Sequence, residues 1–210
     1  RAKNDKEIDL ILHKTRQVVK VYNKTIKHYA HRSDVLRLEV LLEYGGIYLD
    51  LDVLVLRSFD SLLNISDTLM AHQDTYNKTA CNAVIISQPN SIFLKRLLDA
   101  YQSFNQNCWA CHSVQLPRQL SLIYPSEVTI LPSETFFRPY WPETKQLYVY
   151  NNYSFTKNYA CHLWSKINDK NYLRSLTPHR ALTLNSTFGR MLRYAIGTDT
   201  LNQLNQTSTT

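Results

Sequence analysis

Between Ser33 and Asp52 the chain reads SDVLRLEVLLEYGGIYLDLD, and this stretch constrains the fold more than any other. Val35, Leu36, Leu38, Val40, Leu41 and Leu42 put apolar side chains on most faces of a helix, so a helix here has to be buried. Ser33 suits an N-cap, and Asp34 falls in the first turn, where a carboxylate complements the helix dipole. The predicted helix runs to about Tyr44 and ends at Gly45-Gly46, residues that readily terminate helices. A strand over Ile47 to Leu51 follows, and Val53 to Leu56 continues as a second apolar run. On a strand, residues i and i+2 share a face, which brings Asp50 and Asp52 out on one side at its end. Two carboxylates so placed are hard oxygen donors for a divalent cation such as Mn²⁺ or Mg²⁺. A bare D-x-D is short and common, however, and is more often a solvated turn.

The rest of the chain alternates helical and strand patterns, which makes the fold class α/β. Apolar spacing over Ile8 to Tyr29 predicts an amphipathic helix. Leu69 to His72 and Ala83 to Ser87 read as short strands. Pro89-Asn90 marks a turn, and Ser91 starts a helix to about Phe104. Ser113 to Tyr124 reads as a helix interrupted near Pro117. Val128 to Leu131, Tyr148 to Tyr150 and Tyr159 to Leu163 read as strands, and Thr187 to Ile196 as a short helix. One domain over residues 1–197 is expected, with residues 198–210 a loose polar tail rich in Asn, Gln and Thr.

The formal net charge of +7 suits an anionic partner. The basic residues are dispersed rather than gathered into a stripe, and no nucleic-acid-binding module is recognisable, so a nucleic-acid partner is not expected. Six N-x-S/T sequons occur, at Asn23, Asn64, Asn77, Asn152, Asn185 and Asn205. Chance would give roughly two or three, and the excess points to the secretory pathway. Four cysteines, Cys81, Cys108, Cys111 and Cys161, allow three disulfide pairings in an oxidising lumen. Cys108-x-x-Cys111 lies outside the strand-to-helix setting that a redox centre needs. Zinc held by Cys108, Cys111, Cys161 and His162 has enough ligands on paper, but an oxidising setting favours disulfides. No run of eighteen apolar residues is present, so a membrane would be reached only through a segment absent from this chain. Motifs of the common serine hydrolases, P-loop NTPases and zinc proteases are missing.

The neighbourhood of the acidic pair is more specific than the pair. Ser33-Asp34, Arg37, Tyr44-Gly45-Gly46, Tyr48, Asp50 and Asp52 together resemble the signature of glycosyltransferase family 32, the DXD-containing sugar transferases. Asn82-Ala83-Val84-Ile85 with Pro89 and Phe93-Leu94 is similar to that family's second block, and His162-Leu163-Trp164 to its His-x-Trp block. The resemblance spans about Lys27 to Ser165. It departs from the family in a missing upstream region and in His112 to Gln119, which stand where a Gly-Pro pair is common.

This resemblance implies a GT-A-like, Rossmann-type mixed sheet flanked by helices, truncated at its N-terminus. It implies transfer of a hexose from a UDP- or GDP-sugar to a glycan or glycolipid acceptor, with retention of anomeric configuration. It also implies residence in the Golgi lumen as a type II membrane protein. Asp52 is then expected to bind Mn²⁺ (or Mg²⁺) directly, with Asp50 contacting it through water or holding the nucleotide ribose, and His162 as third ligand. Asp34 and Arg37 would bond the donor sugar's hydroxyls. Tyr48, Asn82 and Trp164 are further candidates for donor contacts, and Asn82 competes with a structural role beside Cys81. No residue stands out as a catalytic nucleophile. Two other readings share these residues: a non-catalytic nucleotide-sugar- or glycan-binding relative, and a transferase that modifies proteins.

Overall fold

The structure, a computed structural model, describes residues 18–207, with side chains described as far as residue 197. It opens with an antiparallel hairpin of β1 (Lys20–Val21) and β2 (Lys24–Thr25). The turn residues Tyr22 and Asn23 have φ of 45° and 65°, the left-handed conformation that a two-residue hairpin turn requires. The helix expected over Ile8 to Tyr29 is therefore not what its described part forms, and Ile8 to Gln17 lie outside the described residues. Val18, Val21 and Ile26 are buried all the same. Their spacing, read as helical, reflects the pinning of the hairpin to the core.

Helix α1 spans Tyr29–Tyr44, with His28 as N-cap and no side-chain capping bond. Ser33 thus lies inside the helix instead of capping it. Its hydroxyl is used elsewhere: it accepts from Arg37 Nη2 at 3.1 Å and pairs with the Tyr48 hydroxyl at 3.0 Å. The end at Gly45 is as expected. Gly45 has φ of 65° and its N–H donates to Leu41 O at 2.8 Å. A Cβ there would lie 2.6 Å from Pro89 N and 2.9 Å from Ser87 O, whereas one at Gly46, φ +100°, would meet nothing within 4 Å. Gly45→Ala is expected to cost about 3 kcal/mol, because conformational strain and a backbone clash combine. Gly46→Ala should cost only the strain, about 1–2 kcal/mol. Urea unfolding midpoints check the difference; equal losses would show that close packing at Gly45 is unimportant.

A four-stranded mixed sheet follows, in the order β3 (Gly46–Leu49), β6 (Cys81–Ser87), β5 (Thr68–Ala71), β7 (Thr129–Leu131). β6 runs antiparallel to both β3 and β5, and β5 pairs parallel with β7. Three strands therefore point one way with β6 reversed between them. This is the mixed, helix-flanked α/β sheet expected of a GT-A-like fold. β6 is buried along its whole length, which is why its sequence, CNAVIIS, shows no polar alternation. Leu69 and Ala71 face one cluster, with Phe59, Phe136, Phe137 and Trp164. Met70 and Ile85 face the other, with Val35, Leu38 and Leu41 of α1 and Phe93, Leu94 and Leu97 of α2 (Ile92–Asp99). Ser91 caps α2, accepting from Leu94 N at 3.2 Å, as expected. Helical turns begin at Cys111 as a π-helical Cys111–Gln115 and pass directly into helix α3 (Leu116–Ile123), so the interruption expected near Pro117 is a change of winding just before that proline.

A second ribbon, β4 (Val53–Val55) with β8 (Ala160–His162), is antiparallel and sets Val53 opposite His162. Tyr148 to Tyr150 is not a strand. α4 (Thr144–Tyr148) ends there, with Leu147 and Tyr148 buried and the Tyr148 ring stacked on Tyr172 at 4.9 Å. The chain ends in α5 (Ser165–Asn168), α6 (Pro178–Thr183) and α7 (Thr187–Thr207). α7 breaks at Gly197, φ 74°, and its backbone is helical again through Thr207, where a loose tail was expected. Among the described residues no helix is long and apolar enough to cross a membrane.

One disulfide forms, Cys108–Cys111, while Cys81 and Cys161 are buried free thiols. The expectation of disulfides thus holds for one pair only. Burial pushes both free thiols up to about 12, so neither forms a nucleophilic thiolate near neutral pH.

Candidate functional site

β3 ends at Leu49, one residue before the first aspartate. Asp50 N–H still donates to Ala83 O of β6 at 2.9 Å, and Val53 N–H donates back to Asp50 O at 3.0 Å. Asp50 to Val53 is therefore a tight turn from β3 into β4, with Leu51 at its tip fully exposed. The carboxylates converge because the chain turns, not because they share a strand face. The β4–β8 ribbon then brings His162 alongside, tied by Leu163 N–H donating to Asp52 O at 2.8 Å. Ligand atoms of Asp50, Asp52 and His162 all lie within 4.8 Å of one another. Two carboxylates and an imidazole are an acceptable donor set for Mn²⁺.

Asp52 is firmly held. His162 Nε2 lies 3.1 Å from its Oδ1, and Ser165 N–H and Oγ–H both donate to Oδ2 at 2.9 Å. Burial alone would raise its pKa; the hydrogen bond and charge of His162 and the two Ser165 donors outweigh that and hold the carboxyl well below the usual carboxylate range. Ser165 can reach back because Trp164 adopts the left-handed conformation, φ 54°. Such strain in a bulky residue persists only where its surroundings enforce it. Here the Trp164 ring is 4.1 Å from the His162 ring, and its Nε1–H donates to Pro139 O at 3.2 Å. His162 Nδ1 is buried without a partner.

Arg37, only 4% exposed, ties α1 to the turn. Its Nε donates to Ser33 O (3.1 Å), and its Nη1 to Asn82 O (2.7 Å) and Asn82 Oδ1 (3.0 Å). Nη2 reaches Ser33 Oγ (3.1 Å), Asp34 Oδ1 (3.2 Å) and Asp50 Oδ1 (3.1 Å). Every N–H of the guanidinium therefore has a protein acceptor. Asn82 also donates from Nδ2 to Asp34 Oδ1 at 2.9 Å. The Tyr48 ring packs under Arg37, 4.4 Å from its Cζ, and the Tyr48 hydroxyl donates to Asp50 Oδ1 at 2.7 Å. Burial pushes the Tyr48 hydroxyl up to about 12 against the opposing charge of Arg37, so it stays a donor. Both Arg37 and Tyr48 engage Oδ1 of Asp50; among the described residues Oδ2 has no hydrogen-bond partner.

These groups wall a cavity of about 510 Å³. Asp34, Arg37, Asp50, Asp52, Asn82, His162 and Trp164 of the sequence-predicted set line it; Tyr48 does not, and instead supports Asp50 from behind. The lining also includes His31, Trp109, Trp141, Ser165 and Lys166, which the sequence reading did not single out. All three tryptophans of the chain thus meet at one cavity. His31 had a legible signal: it lies three residues before Asp34, on the same helical face, and its Nδ1 is 3.4 Å from Asp34 Oδ2. Ser165 and Lys166 had none.

Residues 2–76 match the glycosyltransferase sugar-binding region containing the DXD motif. The chain therefore carries a DXD-containing glycosyltransferase region and is similar to the following proteins. It is 39% identical over 199 residues to glucan organizing enzyme 1 of Cryptococcus neoformans var. grubii, covering 90% of this chain and 54% of that protein. It is also 26% identical over 152 residues to the lactosylceramide 4-alpha-galactosyltransferase of Gorilla gorilla gorilla, covering 64% of this chain and 44% of that one. An uncharacterised Arabidopsis thaliana protein is 30% identical over 126 residues, 55% of this chain and 19% of its own length. The chain thus spans about half the length, or less, of these relatives. No solved structure gives a significant match.

Proposed function

We propose that residues 1–197 are the catalytic part of a metal-dependent, retaining glycosyltransferase that moves a hexose from a UDP- or GDP-sugar to a glycan or glycolipid. One observation carries the reading: the Asp50/Asp52 pair and His162, 110 residues further along the chain, converge at a cavity that Asp34, Asn82 and the tryptophans also line. Asp52 and His162, with Asp50 Oδ2, are the groups that would hold Mn²⁺. Bound there, the cation would offset charge on a departing nucleoside diphosphate. The protein's own residues prepare the site. Ser165 keeps Asp52 ionised, Arg37 and Tyr48 fix the Asp50 carboxylate, and the indoles wall the donor off from water. Asp34 and Asn82, held by Arg37, are the sugar-hydroxyl contacts.

A Golgi-lumenal setting fits the chemistry of the surface. Five of the six sequon asparagines, Asn23, Asn64, Asn77, Asn152 and Asn185, are exposed, and a disulfide is present. The experiment is a thermal-shift screen of UDP- and GDP-hexoses with and without Mn²⁺. At a hundredfold excess over Kd the right donor should raise Tm by roughly 5–10 °C, and only with the metal. No shift with any donor in either condition would remove the reading.

A further inference from the structure

A diphosphate brings more than one negative charge into a cavity already lined by three carboxylates, Asp34, Asp50 and Asp52. Arg37 cannot answer that charge, because its donors are all spent on the protein. The other lining residue with a permanent positive charge is Lys166. Lys166 is exposed and has no carboxylate, carbonyl or hydroxyl partner among the described residues. Its ammonium rests on the face of Trp109, 3.6 Å from the ring centroid. That indole is carried on the short Cys108–Cys111 loop and backed by His31, 5.3 Å between centroids. Lys166 also directly follows Ser165, whose N–H and hydroxyl hold Asp52. It is therefore one residue from the group that holds the metal-assigned Asp52, on a long flexible stem.

We propose that Lys166 is the diphosphate-gripping residue of this site, parked on Trp109 until a nucleotide binds. An exposed cation–π contact is weak beside a charge-assisted hydrogen bond to phosphate. A nucleoside diphosphate therefore draws the ammonium off the indole and onto its non-bridging oxygens. The move bares one face of Trp109, so indole emission reports it. This inference rests on the glycosyltransferase reading and adds a named residue to it.

The test is calorimetric titration of UDP, GDP, UMP and GMP in Mn²⁺ against the wild type, Lys166→Ala and Lys166→Arg. For whichever diphosphate the wild type binds, Lys166→Ala should weaken binding about tenfold, and Lys166→Arg no more than about threefold. Monophosphate binding should change less than about twofold, since a single phosphate would be held by the cation that Asp50, Asp52 and His162 would bind rather than by Lys166. Diphosphate should alter wild-type tryptophan emission, and that change should vanish in Lys166→Ala and in Trp109→Phe. Unchanged diphosphate affinity in Lys166→Ala, or an equal loss for the monophosphates, overturns the role of Lys166 alone. Failure of the wild type to bind any of the four nucleotides overturns the underlying reading.

Discussion

Arg37→Ala is expected to destabilise the protein by about 4 kcal/mol, a large share of the roughly 5–15 kcal/mol that holds a domain together. Arg37 is almost wholly buried, and its Nη2 bridges Asp34 Oδ1 at 3.2 Å and Asp50 Oδ1 at 3.1 Å. Burial disfavours its charge, and the two aspartates more than restore it, so the guanidinium is held ionised. Truncation removes the compensation for two carboxylates while leaving them in place, the costly way to break a buried ion pair. Arg37→Lys should fall in between. It keeps the charge but supplies donors from one point, and it cannot reach Ser33, Asn82 and both aspartates together. Asp34→Asn added to Arg37→Ala should recover about 1–2 kcal/mol, because it removes one of the orphaned charges. Urea midpoints at constant m-value measure all three. An Arg37→Ala protein within about 1 kcal/mol of wild type would show that the network does not hold α1 to the acidic turn.

That network also shows what was legible in the sequence. The glycine stop at Gly45, the Ser91 cap and the unbroken apolar run of β6 are local signals, and each forms as expected. The D-x-D pair and its His162 partner were legible as a set, though the carboxylates meet through a turn rather than a strand face. Tertiary demands account for the failures. Ser33 has every feature of an N-cap, yet its hydroxyl serves Arg37 and Tyr48 in mid-helix. The apolar spacing before Tyr29 serves a hairpin with two left-handed turn residues. Arg37 lines the cavity, and the bonds of its donors to Asn82 and Asp50 join residues too distant in sequence for its spacing from Asp34 to show. Trp109, Trp141 and Trp164 are too far apart in sequence to be read as one wall, and only the assembled cavity shows it. About half of the surface of Trp109 and Trp141 is exposed, at 50% and 43%. Large indoles left open beside a cavity fit a ligand-facing role better than a packing one.

Asp52→Asn is expected to abolish metal-dependent transfer, with a loss of at least about a hundredfold, since altering even a supporting partner of a metal ligand costs about 10–100-fold. The same substitution should cost only about 1 kcal/mol of stability, or roughly 3 °C in Tm. The difference follows from the atoms. The remaining amide oxygen can still accept from Ser165 N–H, now 2.9 Å from Oδ2. The Ser165 hydroxyl, also 2.9 Å from Oδ2, keeps the same acceptor, and what is lost is the negative charge and the Oδ1 acceptor facing His162 Nε2 at 3.1 Å. A drop in activity could in principle come from either source, so the deciding measurement is the ligand-linked part of the stability. The Mn²⁺-dependent rise in Tm with a nucleotide sugar should disappear in Asp52→Asn, while the ligand-free Tm moves little. Ser165→Ala gives the graded control. It removes one donor to Asp52 and leaves the ligand, so it should reduce activity about tenfold and keep a diminished metal-dependent shift. If Asp52→Asn retains wild-type turnover in Mn²⁺, the carboxylate that the turn and the ribbon converge upon is a structural bridge between Ser165 and His162, and the metal lies elsewhere.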